Sequence, residues 1–154
     1  GKWPVSKGED RYRRSIYTFN KRTAPYAAYT VFDGPTGENC LPRRNRSNTP
    51  LQALTLLNDE MFLEMARSLG TTADKRDGEL PHKARWIFQR LLTRAPEKSE
   101  LTSLVRYVQA QQKRIDTNEL DRRKIGGADT TVEAAALSML ARSLMNLDEV
   151  ITKQ

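Results

Sequence analysis

Apolar residues recur at helical spacing along most of this chain, and no segment alternates polar and apolar residues convincingly enough to predict a strand. Pro81 to Leu92 reads as an amphipathic helix, with Ala84, Ile87, Phe88, Leu91 and Leu92 on one side and Trp86 on the flank. Glu97 to Ile115 carries Leu101, Leu104, Val105 and Val108 as its buried stripe and turns polar from Gln111. Val132, Ala136, Leu137, Leu140, Ala141 and Leu144 give the last long helix a broad apolar face, suited to the centre of a bundle. Thr130 or Thr131 caps it, and Leu147 to Ile151 adds a turn. Asp116 to Asp129, with Gly126-Gly127, is expected as a mobile loop or a short helix.

Upstream, Ser47-Asn48-Thr49-Pro50 is a helix start: Thr49 can cap, and Pro50 at the first helical position gives up no needed N–H. Leu51, Leu54 and Leu57 line one side of that helix, widened by Ala53 and Leu56. Asn58-Asp59 reads as a stop and restart, with Asp59 capping the next helix. Phe62, Met65, Ala66 and Leu69 continue its apolar face, Gly70 is its expected C-cap, and Thr71 to Glu79 is expected as a polar loop. Glu9 to about Lys21 is predicted helical, because Tyr12, Ile16 and Phe19 fall on one face, which is expected to dock on the core. Trp3 is expected to anchor an extended lead-in. Thr23 to Ser47 is loop-rich, and a loop that long is either functional or pinned by side chains. A short helical turn near Ala27–Tyr29 fits within it. The expected fold is all-α: one helical domain over 1–154, a bundle of five or six helices with a long N-terminal strap. Residues 1–48 form the basic strap and first helix, and 49–154 the helical core.

Charge sharpens that division. The net charge is +7, and residues 1–50 hold ten Lys and Arg against four acids, while residues 51–154 are nearly balanced at sixteen against fifteen. This asymmetry suggests an anionic partner or a docking domain at the first third, unless its arginines fasten to carboxylates of the helical part. The start Gly1-Lys2-Trp3, with neither an initiator methionine nor an apolar leader, is read as marking an excised piece of a longer protein. No apolar run approaches the roughly 18 residues of a membrane helix.

The candidate chemistry is sparse. One cysteine, Cys40, and one histidine, His82, rule out an internal disulfide, a Cys/His zinc cluster and a C-x-x-C-H haem attachment within the chain. Cys40 lies in a basic neighbourhood that can favour the thiolate, or it is a buried structural thiol. His82, beside Pro81 at a helix start, reads as a surface or capping residue. No phosphate-binding glycine loop, dinucleotide fingerprint or nucleophile elbow occurs, and no catalytic or metal-ligating residue is assigned. The strongest lead is basic. Arg43, Arg44 and Arg46 shortly precede the helix start at Thr49, and arginines beside free N–H groups make an anion site. Arg13 and Arg14 extend the candidate set. The anion is a ligand sulfate, phosphate or carboxylate, or else an internal acid such as Asp33 or Asp59. Nucleic acid fits less well, since the charge is moderate and no nucleic-acid motif is recognised.

Several blocks then occur in a telling order: Tyr12-Arg13-Arg14-Ser15-Ile16-Tyr17-Thr18-Phe19, Lys21-Arg22-Thr23, Phe32-Asp33-Gly34-Pro35, Cys40 with Arg43-Arg44, and Asn48-Thr49-Pro50-Leu51-Gln52-Ala53-Leu54 through Leu57-Asn58-Asp59. The ending Arg142-Ser143-Leu144-Met145-Asn146-Leu147-Asp148-Glu149 completes the set. Together they resemble the C-terminal planctomycete-specific domain of unknown function, over almost the whole chain. The resemblance implies a large exported parent, periplasmic, cell-surface or secreted, that often carries a cytochrome c-like haem domain upstream. It implies no catalytic residues and makes a nucleic-acid role less favoured. The expected function is that of a non-catalytic helical module, docking against upstream domains of its parent or binding an anionic glycan. The alternative is an accessory part of an enzyme or redox protein whose active site upstream domains complete.

Overall fold

The first long helix begins where its cap dictates. The computed structural model describes residues 8–18, 21, 23, 25–35, 42–43 and 47–151. At Pro50–Asn58 (α2) the Thr49 hydroxyl accepts from the Gln52 N–H at 3.3 Å, and the Gln52 carboxamide accepts from the Thr49 N–H at 3.1 Å. This reciprocal pair satisfies two of the donors that a helix start leaves over. It also orients the helix. Gln52 and Leu56, one turn apart, are the buried residues, while Leu51 and Leu54 stand 58% and 55% exposed. The expected inward line of Leu51 and Leu54 is thereby corrected: the cap pair commits the Gln52 side to the interior.

Asp59 ends α2 and starts α3 (Glu60–Asp74) in one residue. Its N–H donates to the Thr55 carbonyl at 2.9 Å, and its carboxylate accepts from the Met61 N–H at 2.9 Å. Gly70 is not the end of α3, which runs one turn further. Ala66, Gly70 and Ala73 are all buried on one face. A Cβ built at Gly70 would collide with the Ser138 side chain and come within 2.7 Å of the Ala134 carbonyl oxygen. Glycine is there because α3 approaches the backbone of the last long helix too closely for any side chain.

That last helix, α7 (Val132–Met145), is the centre of the second half of the molecule. Nine of its residues are buried, among them Ala134, Ala135, Ala136, Leu137, Leu140 and Ala141. It packs on α3 and on α5 (Lys98–Asp116) above all, and also touches α4 (Leu80–Leu92), α6 (Arg122–Gly126) and α8 (Asp148–Ile151). Ile87 and Phe88 of α4, and Val108 and Ile115 of α5, complete the core. The Thr131 hydroxyl caps α7 by accepting from the Ala134 N–H at 2.9 Å. The polar stretch after α5 contains the short α6, and α8 supplies the extra terminal turn.

Arginines brace the periphery of this bundle. Arg142 donates from Nε to the Leu57 carbonyl at the end of α2, at 3.1 Å, and from Nη2 to the same oxygen at 2.6 Å. Arg67 donates to the Ile125 and Lys124 carbonyls at the end of α6, both at 2.8 Å. Arg94 clasps Glu100 of α5 and Glu149 of α8 with paired bonds of 2.7–2.9 Å. Both carboxylates are shifted down by the Arg94 hydrogen bonds. For Glu100 the Glu97 N–H adds to the effect and the value falls to about 2.

Chain contacts divide the molecule into two units, Gly1–Ser47 and Asn48–Gln154. The first is built differently. The single helix expected over Glu9–Lys21 is instead two 3-10 turns, Gly8–Tyr12 and Ser15–Tyr17, separated at Arg13 and Arg14. Tyr12 and Ile16 of its would-be buried face are in the open, 54% and 83% exposed, and Tyr17 beside that face is 72% exposed. A short helix is marginal in water on its own, and this segment shortens into turns. A short helix follows, Ala27–Val31 (α1), which stops at Phe32 and turns through Asp33 at φ 54°. The Asp33 carboxylate then accepts from the Ser47 N–H at 2.7 Å and from the Ser47 hydroxyl at 2.7 Å. This pair joins the turn after α1 to Ser47, just ahead of the α2 cap. Trp3, Phe19, Cys40, Arg44 and Arg46 lie outside the described residues.

The elements of the described residues are thus all helical: five long α-helices and three short ones, with the long ones gathered as a bundle around α7.

Candidate functional site

The basic candidates all belong to the first unit, and Thr49 to the second. Arg13 is exposed and pairs with Asp10 at 2.7 Å, one helical turn earlier. Arg14 is exposed, and its backbone carbonyl accepts from the Tyr17 N–H. Arg43 is exposed in a bend. Arg44 and Arg46 fall among residues that are not described. Thr49 spends its hydroxyl on the cap of α2. Of the two internal acids that the arginines had as alternatives, Asp33 holds Ser47 and Asp59 caps α3. Cys40 lies outside the described residues. Among the described residues no cluster of His, Cys, Asp and Glu has the makings of a metal site, and no helix is long and apolar enough to cross a membrane.

A second basic locus lies wholly within the helical unit. α3 ends at Asp74, and the turn Lys75–Glu79 leads directly into α4. His82, Arg85, Trp86 and Gln89 fall at i, i+3, i+4 and i+7 of α4, so they share one face. Together with Arg76 and Asp77 from the turn they line a cleft of about 240 Å³. The Arg76 guanidinium lies over the Trp86 ring, 4.9 Å from its centroid, a cation–π contact that orients the fork. Gly78, at φ 114°, lets the turn close against His82, whose Cβ would stand 3.3 Å from an added methyl.

The cations of this cleft are not equivalent. Lys83 also lines it, but its ammonium is committed to Glu133 at 2.9 Å and to the Asp74 carbonyl at 2.9 Å. The Glu133 hydrogen bond, aided by the charges of Glu133 and Asp74, raises the Lys83 pKa against the opposing effect of burial. Arg85, Arg76 and Asp77 have no ion pair among the described residues. Arg85 and Arg76 therefore face the cleft as available forks, with one carboxylate beside them.

From the sequence, Trp86 was placed on the flank of its helix and His82 at the surface, and the cleft went unrecognised. A signal was present in the polar face itself, where His82, Arg85, Trp86 and Gln89 recur at helical spacing. What brings Arg76 and Asp77 to that face is the extra turn of α3 beyond Gly70, which depends on packing against α7.

A family model described as PSD1, protein of unknown function (DUF1553), matches residues 1–108, which takes in the whole first unit and the second as far as α5. No curated protein and no solved structure matches the chain.

Proposed function

Starting from the membership of this chain in the PSD1 (DUF1553) family, we propose that it is a docking module whose first unit seats against another part of its parent protein. The observation that carries this reading is the exposure of Tyr12, Ile16 and Tyr17 in two turns, with Arg11 in the first and Arg13 and Arg14 between them. Large apolar side chains in the open, rimmed by charge, mark protein-interaction surfaces. The strong basic excess of residues 1–50 favours an acidic rim around the receiving surface. Leu51 and Leu54 of α2 add exposed apolar surface in the second unit.

The wider setting belongs to the same proposal. The parent is read as a planctomycete-type exported protein, periplasmic, cell-surface or secreted, with this domain at its C-terminus and a c-type haem domain upstream. The support is the resemblance of the blocks from Tyr12 to Asp59 and from Arg142 to Glu149. The chain itself acts without catalysis in this reading.

The test is association in trans. The chain and the remainder of its parent are produced separately and mixed, with Ile16→Glu plus Tyr17→Glu as the variant. The expected result is binding by the unaltered chain that the double variant loses while its helical circular dichroism is unchanged. Equal binding by both forms sinks the reading, as does no binding by the unaltered chain.

A further inference from the structure

We propose that the cleft between the α3–α4 turn and the exposed face of α4 binds a single anionic sugar unit, a ring bearing a carboxylate and hydroxyls. This site is independent of the docking surface and lies entirely in the helical unit.

Three features select this ligand. First, Arg76 and Arg85 have no carboxylate partner among the described residues, and Arg76 is already held by the Trp86 face. A guanidinium oriented in advance binds a planar carboxylate with two parallel hydrogen bonds and loses less side-chain freedom in doing so. Second, Asp77 and the Gln89 carboxamide stand in the same cleft. A carboxylate accepts from sugar hydroxyls, and an amide both donates and accepts. Asp77 also repels a doubly charged phosphate more than a singly charged carboxylate. Third, the cleft of about 240 Å³ falls below the range of about 300–1,000 Å³ that takes drug-sized ligands, so one ring is what it holds. Lys83 adds background positive charge without giving up its bonds to Glu133 and Asp74.

Trp86 makes the site its own reporter. In a Trp3→Phe background the only remaining tryptophan is Trp86. Titration of this full chain with glucuronate at low salt is expected to change Trp86 fluorescence saturably. Arg85→Gln and Arg76→Gln are each expected to weaken binding about tenfold, the size of a lost charge-assisted hydrogen bond. Both residues lie outside the core, so the variants keep their helical circular dichroism; if either does not, Gln89→Ala replaces it and is expected to weaken binding in the same direction. Glucose, with the ring and no charge, and inorganic sulfate, with the charge and no ring, are expected to give little response. The proposal is overturned by the absence of a saturable response, by unchanged affinity in the variants, or by a response to glucose or sulfate equal to that with glucuronate.

Discussion

The two units of this protein solve the problem of apolar residues in opposite ways. In Asn48–Gln154, large side chains such as Ile87, Phe88, Leu137 and Leu140 vanish into a core around α7. In Gly1–Ser47 none of the described residues is buried, and Tyr12, Ile16 and Tyr17 are offered to solvent. Helical spacing of apolar residues occurs in both. In the second unit it produces long helices, because each stripe finds another stripe. In the first it yields 3-10 turns. Periodicity states what a segment can bury, and only a partner decides whether it does.

The comparison breaks most easily at the core. Leu137→Ala should cost about 2–5 kcal/mol, the range for truncating a fully buried leucine. Urea unfolding measures it, and a loss below 1 kcal/mol would mean that α7 is not the centre of the bundle. Gly70→Ala should cost about 1–3 kcal/mol through overpacking against Ser138. Alanine is otherwise the better helix former by about 0.5–1 kcal/mol, so the sign of the result decides whether contact or propensity governs at this position. Thr49→Ala removes the cap of α2 and should cost about 0.5–2 kcal/mol.

The acid limb sharpens the picture at the periphery. The folded pKa of Glu100 is depressed to about 2 by Arg94, so its contribution is complete above the ordinary carboxylate range and is lost as pH falls towards 2. Glu100→Gln should flatten the loss of stability across that interval, as read by thermal melts at successive pH values. The smallest effect belongs to the first unit. Ile16→Ser should change stability by within about 0.5 kcal/mol, as for other exposed positions. A loss as large as that from Leu137→Ala would erase the contrast between the units.

Local chemistry made much of the second unit readable in advance. Thr49, Asp59 and Thr131 are caps, and each does locally what its residue type allows. The stripes of α4 and α7 were long enough to declare themselves, whereas α5, read as turning polar from Gln111, stays buried at Gln111 and Ile115. The turn near Ala27 and the added turn at residue 148 also lie where the pattern put them. What escaped depended on distant residues. Gly70 looks like a helix end until α7 is set against it. Leu51 and Leu54 look buried until Gln52 folds back onto Thr49. The cleft of Arg76, Arg85 and Trp86 needs both the end of α3 and the polar face of α4, which no single window of sequence contains.

Asp59 has a mechanical consequence. One residue closes α2 and opens α3, with its backbone spoken for on one side and its carboxylate on the other. Such a joint is an elbow without slack, so the pair behaves as a bent lever rather than two rods on a string. Arg142 of α7 holds the Leu57 carbonyl just before that elbow, so the joint is braced from α7 as well. A partner that engages α2 therefore meets an arm already set, and need not first freeze a floppy one.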